Sequence, residues 1–166
     1  GTHRGGVNLY MPNTGKFMLY RQQPDKNSLS YNDVKAFCED KNGFIWIGTD
    51  GGGLNLFDKQ ANNFTHFKYN PANNNSLGSN EVIAILEDNE GELWVGTWGG
   101  GLCHYNAAAK NFSRYRHSGK DTTSISSDYV QIILEDSKQN TWVATYFAGL
   151  NLFDKKTKRF KRITKS

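Results

Sequence analysis

A chain of 166 residues is long enough for one domain with a sizeable core. With 17 Gly, 13% aromatic residues, 3 Pro and 2 Met, and no helix-forming stretch at helical period, its composition points to sheet and excludes a helical bundle. Mean hydropathy is −0.68, and no apolar run approaches the ~20 residues that a membrane-crossing helix needs.

No apolar leader segment follows the opening Gly1-Thr2-His3-Arg4, as in a mature or excised polypeptide. The net charge of +4 owes much to the tail residues Lys155, Lys156, Lys158, Arg159, Lys161, Arg162 and Lys165. A nucleic-acid contact is one use for such a run. No basic stripe continues through the rest of the chain, so the favoured reading is a charged last strand that resists edge-to-edge pairing. No nucleic-acid partner is expected.

In chain order, the first element is Gly6-Val7-Asn8-Leu9-Tyr10, followed by a second strand around Phe17. The next segment predicts four strands, Val34–Glu39, Phe44–Thr49, Leu54–Phe57 and Phe64–Tyr69, separated by Gly, Asn and Asp. Asp40-Lys41-Asn42-Gly43 is a tight-turn sequence. Trp46-Ile47-Gly48-Thr49 returns as Trp94-Val95-Gly96-Thr97 and as Trp142-Val143-Ala144-Thr145, a constant spacing of 94 − 46 = 142 − 94 = 48. Gly53-Leu54-Asn55-Leu56-Phe57-Asp58 returns as Gly101-Leu102-Cys103-His104-Tyr105-Asn106 and as Gly149-Leu150-Asn151-Leu152-Phe153-Asp154. Phe17, Phe64, Phe112 and Phe160 mark a last strand at nearly the same period.

Four strands in a repeat of this length is the arithmetic of a β-propeller blade. The expected fold is therefore all-β: one partial propeller of about three and a half four-stranded antiparallel blades. It divides into a half-blade at 1–22 and blades at 23–70, 71–118 and 119–166. The three tryptophans are expected to wedge between neighbouring blades. Cys38, where later copies have Leu86 and Leu134, reads as a buried filler, and Cys103 stands in for Asn55 and Asn151. Neither cysteine has metal or disulfide spacing, so no metal and no cofactor are expected.

Positions that agree between repeats belong to the blade, and those that differ are free for other use. The paired acids Glu39-Asp40 and Glu87-Asp88 recur with the turn and read as structure rather than as acid/base machinery. Asn32, Asn80 and Asp128 share one position and read as turn-stabilising side chains bonding their own backbone. His66, His104 and His117 read as lone surface residues. Ligands of propellers commonly sit at the channel mouth, where the connections between blades meet those between second and third strands. That logic selects His3, Arg4, Asp50, Trp98, Tyr146 and Phe147 on one set of loops, and Asp33, Glu81 and Tyr129 on the other.

The pattern Glu-Asp, turn Gly, Trp-Val/Ile-Gly-Thr, Gly-Gly-Leu-x-x-Phe/Tyr resembles the two-component regulator propeller repeat. It stands at Glu39 through Asp58 and at Glu87 through Asn106. The third copy departs from it at Gln139, Ala144 and Tyr146-Phe147-Ala148. The resemblance implies part of the periplasmic sensor region of a membrane-bound hybrid histidine kinase of Bacteroidetes type, detecting oligosaccharides. Any kinase would then lie elsewhere in the parent protein, and this segment would itself be non-catalytic and make no membrane contact. The implied partners are an oligosaccharide and either the remaining blades of a larger propeller or a second copy. Under that implication Trp98, Tyr146 and Phe147 stack on a sugar ring while carboxylates bond its hydroxyls; packing against a neighbouring blade is the other use for these aromatics. A protein-interaction scaffold is the alternative function. The turn also resembles the Asp-box hairpin of sialidase-like propellers, but the arginines show no catalytic cluster.

Overall fold

The computed structural model describes residues 4–24 and 27–163. The half-blade is a hairpin of β1 (Val7–Met11) and β2 (Lys16–Tyr20). Blade A follows as β3 (Val34–Glu39), β4 (Ile45–Thr49), β5 (Gly53–Asp58) and β6 (Asn63–Phe67). Blade B is β7 (Val82–Glu87), β8 (Leu93–Thr97), β9 (Gly101–Asn106) and β10 (Asn111–Tyr115). Blade C is β11 (Val130–Glu135), β12 (Thr141–Thr145), β13 (Gly149–Asp154) and β14 (Arg159–Ile163). Every strand pairs antiparallel with its sequence neighbour inside its own sheet, so each blade is a meander. The 14 strands are those the repeat predicts.

Each inner strand carries a register shift near its start, at Val34/Ala36, Val82/Ala84 and Val130/Ile132. The extra residue in each shift is Lys35, Ile83 or Gln131. A bulge re-aims one side chain while the rest of the strand keeps its pairing.

The core lies between blades rather than within them. Between A and B, Trp46, Leu54, Leu77, Val82, Val95 and Phe112 are buried together. Between B and C, Trp94, Leu102, Ile125, Val130, Val143 and Phe153 do the same. Trp46 stands 5.0 Å from the Tyr105 ring of blade B, and Trp94 stands 5.1 Å from Phe153 of blade C, as the wedge prediction requires. Fully burying such a side chain is worth about 2–3 kcal/mol. Gly48 and Gly96 allow this approach: a Cβ on either would come within 2.6 Å of the Val82 or Val130 side chain of the following blade.

The turn end of each blade is held by its aspartate. Asp88 accepts from the amides of Glu90 and Glu92 through one oxygen and from the Trp94 indole N–H (2.8 Å) through the other. Asp40 with Trp46 and Asp136 with Trp142 repeat the arrangement. Gln139, in place of a turn glycine, still takes the left-handed conformation of Gly43 and Gly91, at φ 62°. The paired glutamate has another role: Glu87 accepts from the Lys41 amide and Glu135 from the Asn89 amide, so each ties its blade to the turn of the one before.

Three sequence expectations need correction. Cys38 is only half-buried, against the A–B core, because the position itself is half-buried, as it is for Leu86 one blade later. Asn32, Asn80 and Asp128 do not bond their own turn. They accept from the amides of Gln22, Tyr69 and His117, ten or eleven residues upstream, and so stitch the exit of one blade to the entry of the next. The histidines are not lone either. His66 meets the Ser28 carbonyl, and His104 pairs with Glu92 beside the Trp94 ring.

Candidate functional site

The connections that diverge between repeats converge at the inner end of the blades. A threonine closes each loop from second to third strand: Thr49, Thr97 and Thr145 donate to the carbonyls of Gly53, Gly101 and Gly149 at 2.8, 2.9 and 3.1 Å. The residue after that threonine is tied to the inner strand, since the amides of Asp50, Trp98 and Tyr146 donate to the carbonyls of Asp33, Glu81 and Tyr129. It is also paired to the next blade, through the bridges Asp50↔Glu81 and Trp98↔Tyr129. Backbone geometry is thus constant along the mouth, and only the side chains change.

On blades B and C those side chains are aromatic. The Trp98 ring stands 4.9 Å from Tyr129, edge-on, and 5.0 Å from Tyr146, which in turn lies 3.9 Å from Phe147. Together with Ser126, Ser127 and His117 they line an open cleft of about 660 Å³, within the usual size for a small-ligand site. Phe147 is 93% exposed and adopts φ 57°, where Gly51 and Gly99 stand in the other blades. A bulky side chain in that region is strained.

On blade A the mouth is charged. Lys35, the bulged residue of β3, reaches Asp33 at 3.3 Å and Asp50 at 3.2 Å. Hydrogen bonds from its ammonium to Asp50 and Asp33 hold its pKa above the ordinary lysine value. Asp33 is nearly buried, so the position expected to offer a carboxylate to a ligand offers Lys35 beside it. Glu81 is half-buried, and its carboxylate makes no hydrogen bond or ion pair among the described residues. Arg4 is exposed on the half-blade, apart from the aromatic group; His3 and Lys165 lie outside the described residues.

The structure therefore brings Trp98, Tyr129, Tyr146 and Phe147 into one group and Asp33, Asp50 and Glu81 into a neighbouring one. Sequence reasoning missed Lys35 and His117. Lys35 stands where the other blades have Ile83 and Gln131, but its direction is set by the bulge in β3 rather than by that variation. His117 had no signal, since it reaches the cleft by bonding Asp128 and the Ile125 carbonyl (2.9 Å). Among the described residues no cluster of His, Cys, Asp and Glu fits a metal.

The profile of the two-component regulator propeller family matches residues 28–51 and 76–99, the entry, inner strand, turn and mouth loop of blades A and B. Those two segments are copies of the two-component regulator propeller repeat. Among solved structures, the repeats superpose on the extracellular domain of a putative hybrid two-component system, BT3049 of B. thetaiotaomicron. That match has 30% identity and TM-score 0.78, over 96% of this chain and 21% of that one. The extracellular domain of the putative one-component system BT4673 of the same organism matches at 22% identity and TM-score 0.78, over 97% and 23%. Virginiamycin B lyase from Staphylococcus aureus matches at 13% identity and TM-score 0.69, over 97% and 49%, a likeness of fold alone. These propeller repeats thus span about a fifth of the two B. thetaiotaomicron domains and half of the lyase. No curated protein matches the chain.

Proposed function

We propose that this chain is a non-catalytic, ligand-binding propeller segment of an extracytoplasmic two-component sensor, and that it binds an oligosaccharide at the mouth. In a two-component system of Bacteroidetes type that location is the periplasm, and the binding event is relayed to a kinase elsewhere in the parent protein. The observation that carries this reading is the open aromatic cleft at the mouth loops, where Trp98, Tyr146 and Phe147 break the repeat. Exposed rings bury well against the apolar face of a sugar while their surroundings accept hydroxyl hydrogen bonds. Kinship with the BT3049 extracellular domain supports the sensor role.

A ligand that binds only the folded state raises the melting temperature by mass action. Screening neutral and acidic oligosaccharides by thermal shift and calorimetry is expected to find one that binds. Trp98→Ala and Tyr146→Ala should then lose that binding while melting as the parent does. Variants that keep full affinity would move the site elsewhere.

One observation favours a scaffold as the second reading. The outer face of blade C leaves Ile132, Leu134, Leu150 and Ile163 37–59% exposed, where the equivalent faces of A and B are covered by the following blade. Light scattering over a concentration range tests it, since a scaffold of this kind predicts a stable complex between copies.

A further inference from the structure

The two halves of the mouth differ in charge as sharply as in shape. In the aromatic half, charge is used up locally: the Arg116 guanidinium binds Asp128 at 2.7 and 3.1 Å, and Asp128 also accepts from the His117 amide. In the acidic half, the Lys35 ammonium is committed to Asp33 and Asp50, and the Glu81 carboxylate beside them has no partner among the described residues. Glu81 is left over. Its backbone bridge to Asp50 is the counterpart of the Trp98↔Tyr129 bridge one blade later, so the free carboxylate stands one blade step from the stacking platform.

We propose that the mouth selects an uncharged oligosaccharide of at least two rings, stacking one ring on the Trp98–Tyr129–Tyr146 group and bonding the hydroxyls of the next through Glu81 and Asp50. This rests on the oligosaccharide reading above and goes further by fixing the ligand's charge. A hydroxyl donating to a carboxylate makes a charge-assisted bond, about twice as strong as a neutral one. A uronate or sulfate in the same place would meet uncompensated negative charge, and like-charge juxtaposition at a binding surface costs several kcal/mol. Arg4 is exposed on the half-blade, and among the described residues it makes no ion pair with Asp33, Asp50 or Glu81.

The test is calorimetry on the 166-residue chain with six probes. Four are neutral: the cello-, manno-, xylo- and galacto-tetrasaccharides. Two are acidic: tetragalacturonate and a heparin tetrasaccharide. The expected result is binding by one or more neutral probes and by neither acidic one. Glu81→Gln should weaken the neutral probe about tenfold, the difference between a charge-assisted and a neutral hydrogen bond. Asp50→Asn, which keeps the loop's shape, should act in the same direction. Unchanged melting curves would show that both variants fold. Acidic binding as tight as neutral, or a Glu81→Gln variant with unchanged affinity, would overturn the charge selection and leave the oligosaccharide reading standing. If none of the six binds, both fall together.

Discussion

The two ends of each blade obey opposite rules. At the turn end, Asp40, Asp88 and Asp136 make the same bonds to two amides and one indole in three consecutive blades. At the mouth end, an equally constant backbone carries Asp50, Trp98 and Tyr146 at one position and Asp33, Glu81 and Tyr129 at another. A repeat protein thus separates the two demands on a sequence in space. Chemistry that repeats holds blades together, and chemistry that varies is free for other use. Substitutions at the turn end should change stability and leave binding alone, and those at the mouth should do the reverse.

The largest effect is expected at Lys155. Its ammonium lies 2.7 Å from the buried Asp88 carboxylate and 3.1 Å from Glu135, bridging blades B and C. Burial works against the charge on Asp88, but the bonds from Lys155 and Trp94 outweigh it and lower its pKa. Burial likewise works against the charge on Lys155, and its bonds to Asp88 and Glu135 outweigh that and raise its pKa. Lys155→Ala strips a buried carboxylate of its counter-charge and should cost about 2–3 kcal/mol in urea unfolding, with ligand affinity unchanged. The sign with pH follows from the two shifts. Asp88 contributes stability above its unfolded value of about 3.9, and this is lost as pH falls through the lowered folded value. Lys155 contributes below about 10.4, and this is lost as pH rises through the raised folded value. The gap between parent and variant should therefore be flat from about pH 5 to 9 and close on either side.

The second effect tests the blade junction itself. Gly96→Ala would put a methyl 2.6 Å from the Val130 side chain and 3.2 Å from Ala84. Overpacking of this kind costs about 1–3 kcal/mol. Adding Val130→Ala should recover part of that loss, giving a favourable coupling energy in a double-mutant cycle, because the two side chains compete for one space. Blade C already has Ala144 and Ile132 where blades A and B have glycine and alanine. No following blade is packed against that face among the described residues, so the alanine meets no such restriction.

These contrasts also show what the sequence made legible. The 48-residue period, the wedge tryptophans and the strand count were readable because each recurs in register, and one copy checks another. The aromatic half of the mouth was readable for the converse reason, since Trp98, Tyr146 and Phe147 break the register. Lys35 was not readable as a mouth residue, because its direction depends on the bulge in β3 and not on its neighbours in sequence. The bonds of Glu87 to the Lys41 amide and of Asn80 to the Tyr69 amide join residues 46 and 11 positions apart, so no local pattern marks them. Cys38 looked buried because its counterparts are leucines, but those leucines are not fully buried either.

Phe147 sharpens the mouth side of the comparison. Its left-handed backbone disfavours the folded state, and its exposed ring gains little burial to offset that. Phe147→Gly should therefore raise stability by about 1 kcal/mol, since glycine adopts φ 57° without strain, while weakening the ligand found by calorimetry. A variant that is more stable and binds less well would mark strain kept for recognition. A loss of stability would instead assign the ring a packing role.

The smallest effect is a repair at the turn end. Ala107 occupies in blade B the position that Lys155 holds in blade C, and Asp40 and Glu87 line the cleft beside it at the A–B junction. Ala107→Lys would place an ammonium there, as Lys155 lies between Asp88 and Glu135 one junction later. Asp40 is more exposed than Asp88, so the new pair is screened and should add only about 0.5 kcal/mol. The gain should shrink in high salt and be absent when Glu87 is replaced by Gln. A full-sized, salt-insensitive gain would mean that the side chain stabilises by covering Trp46 rather than by charge, and that the two junctions are held by different forces.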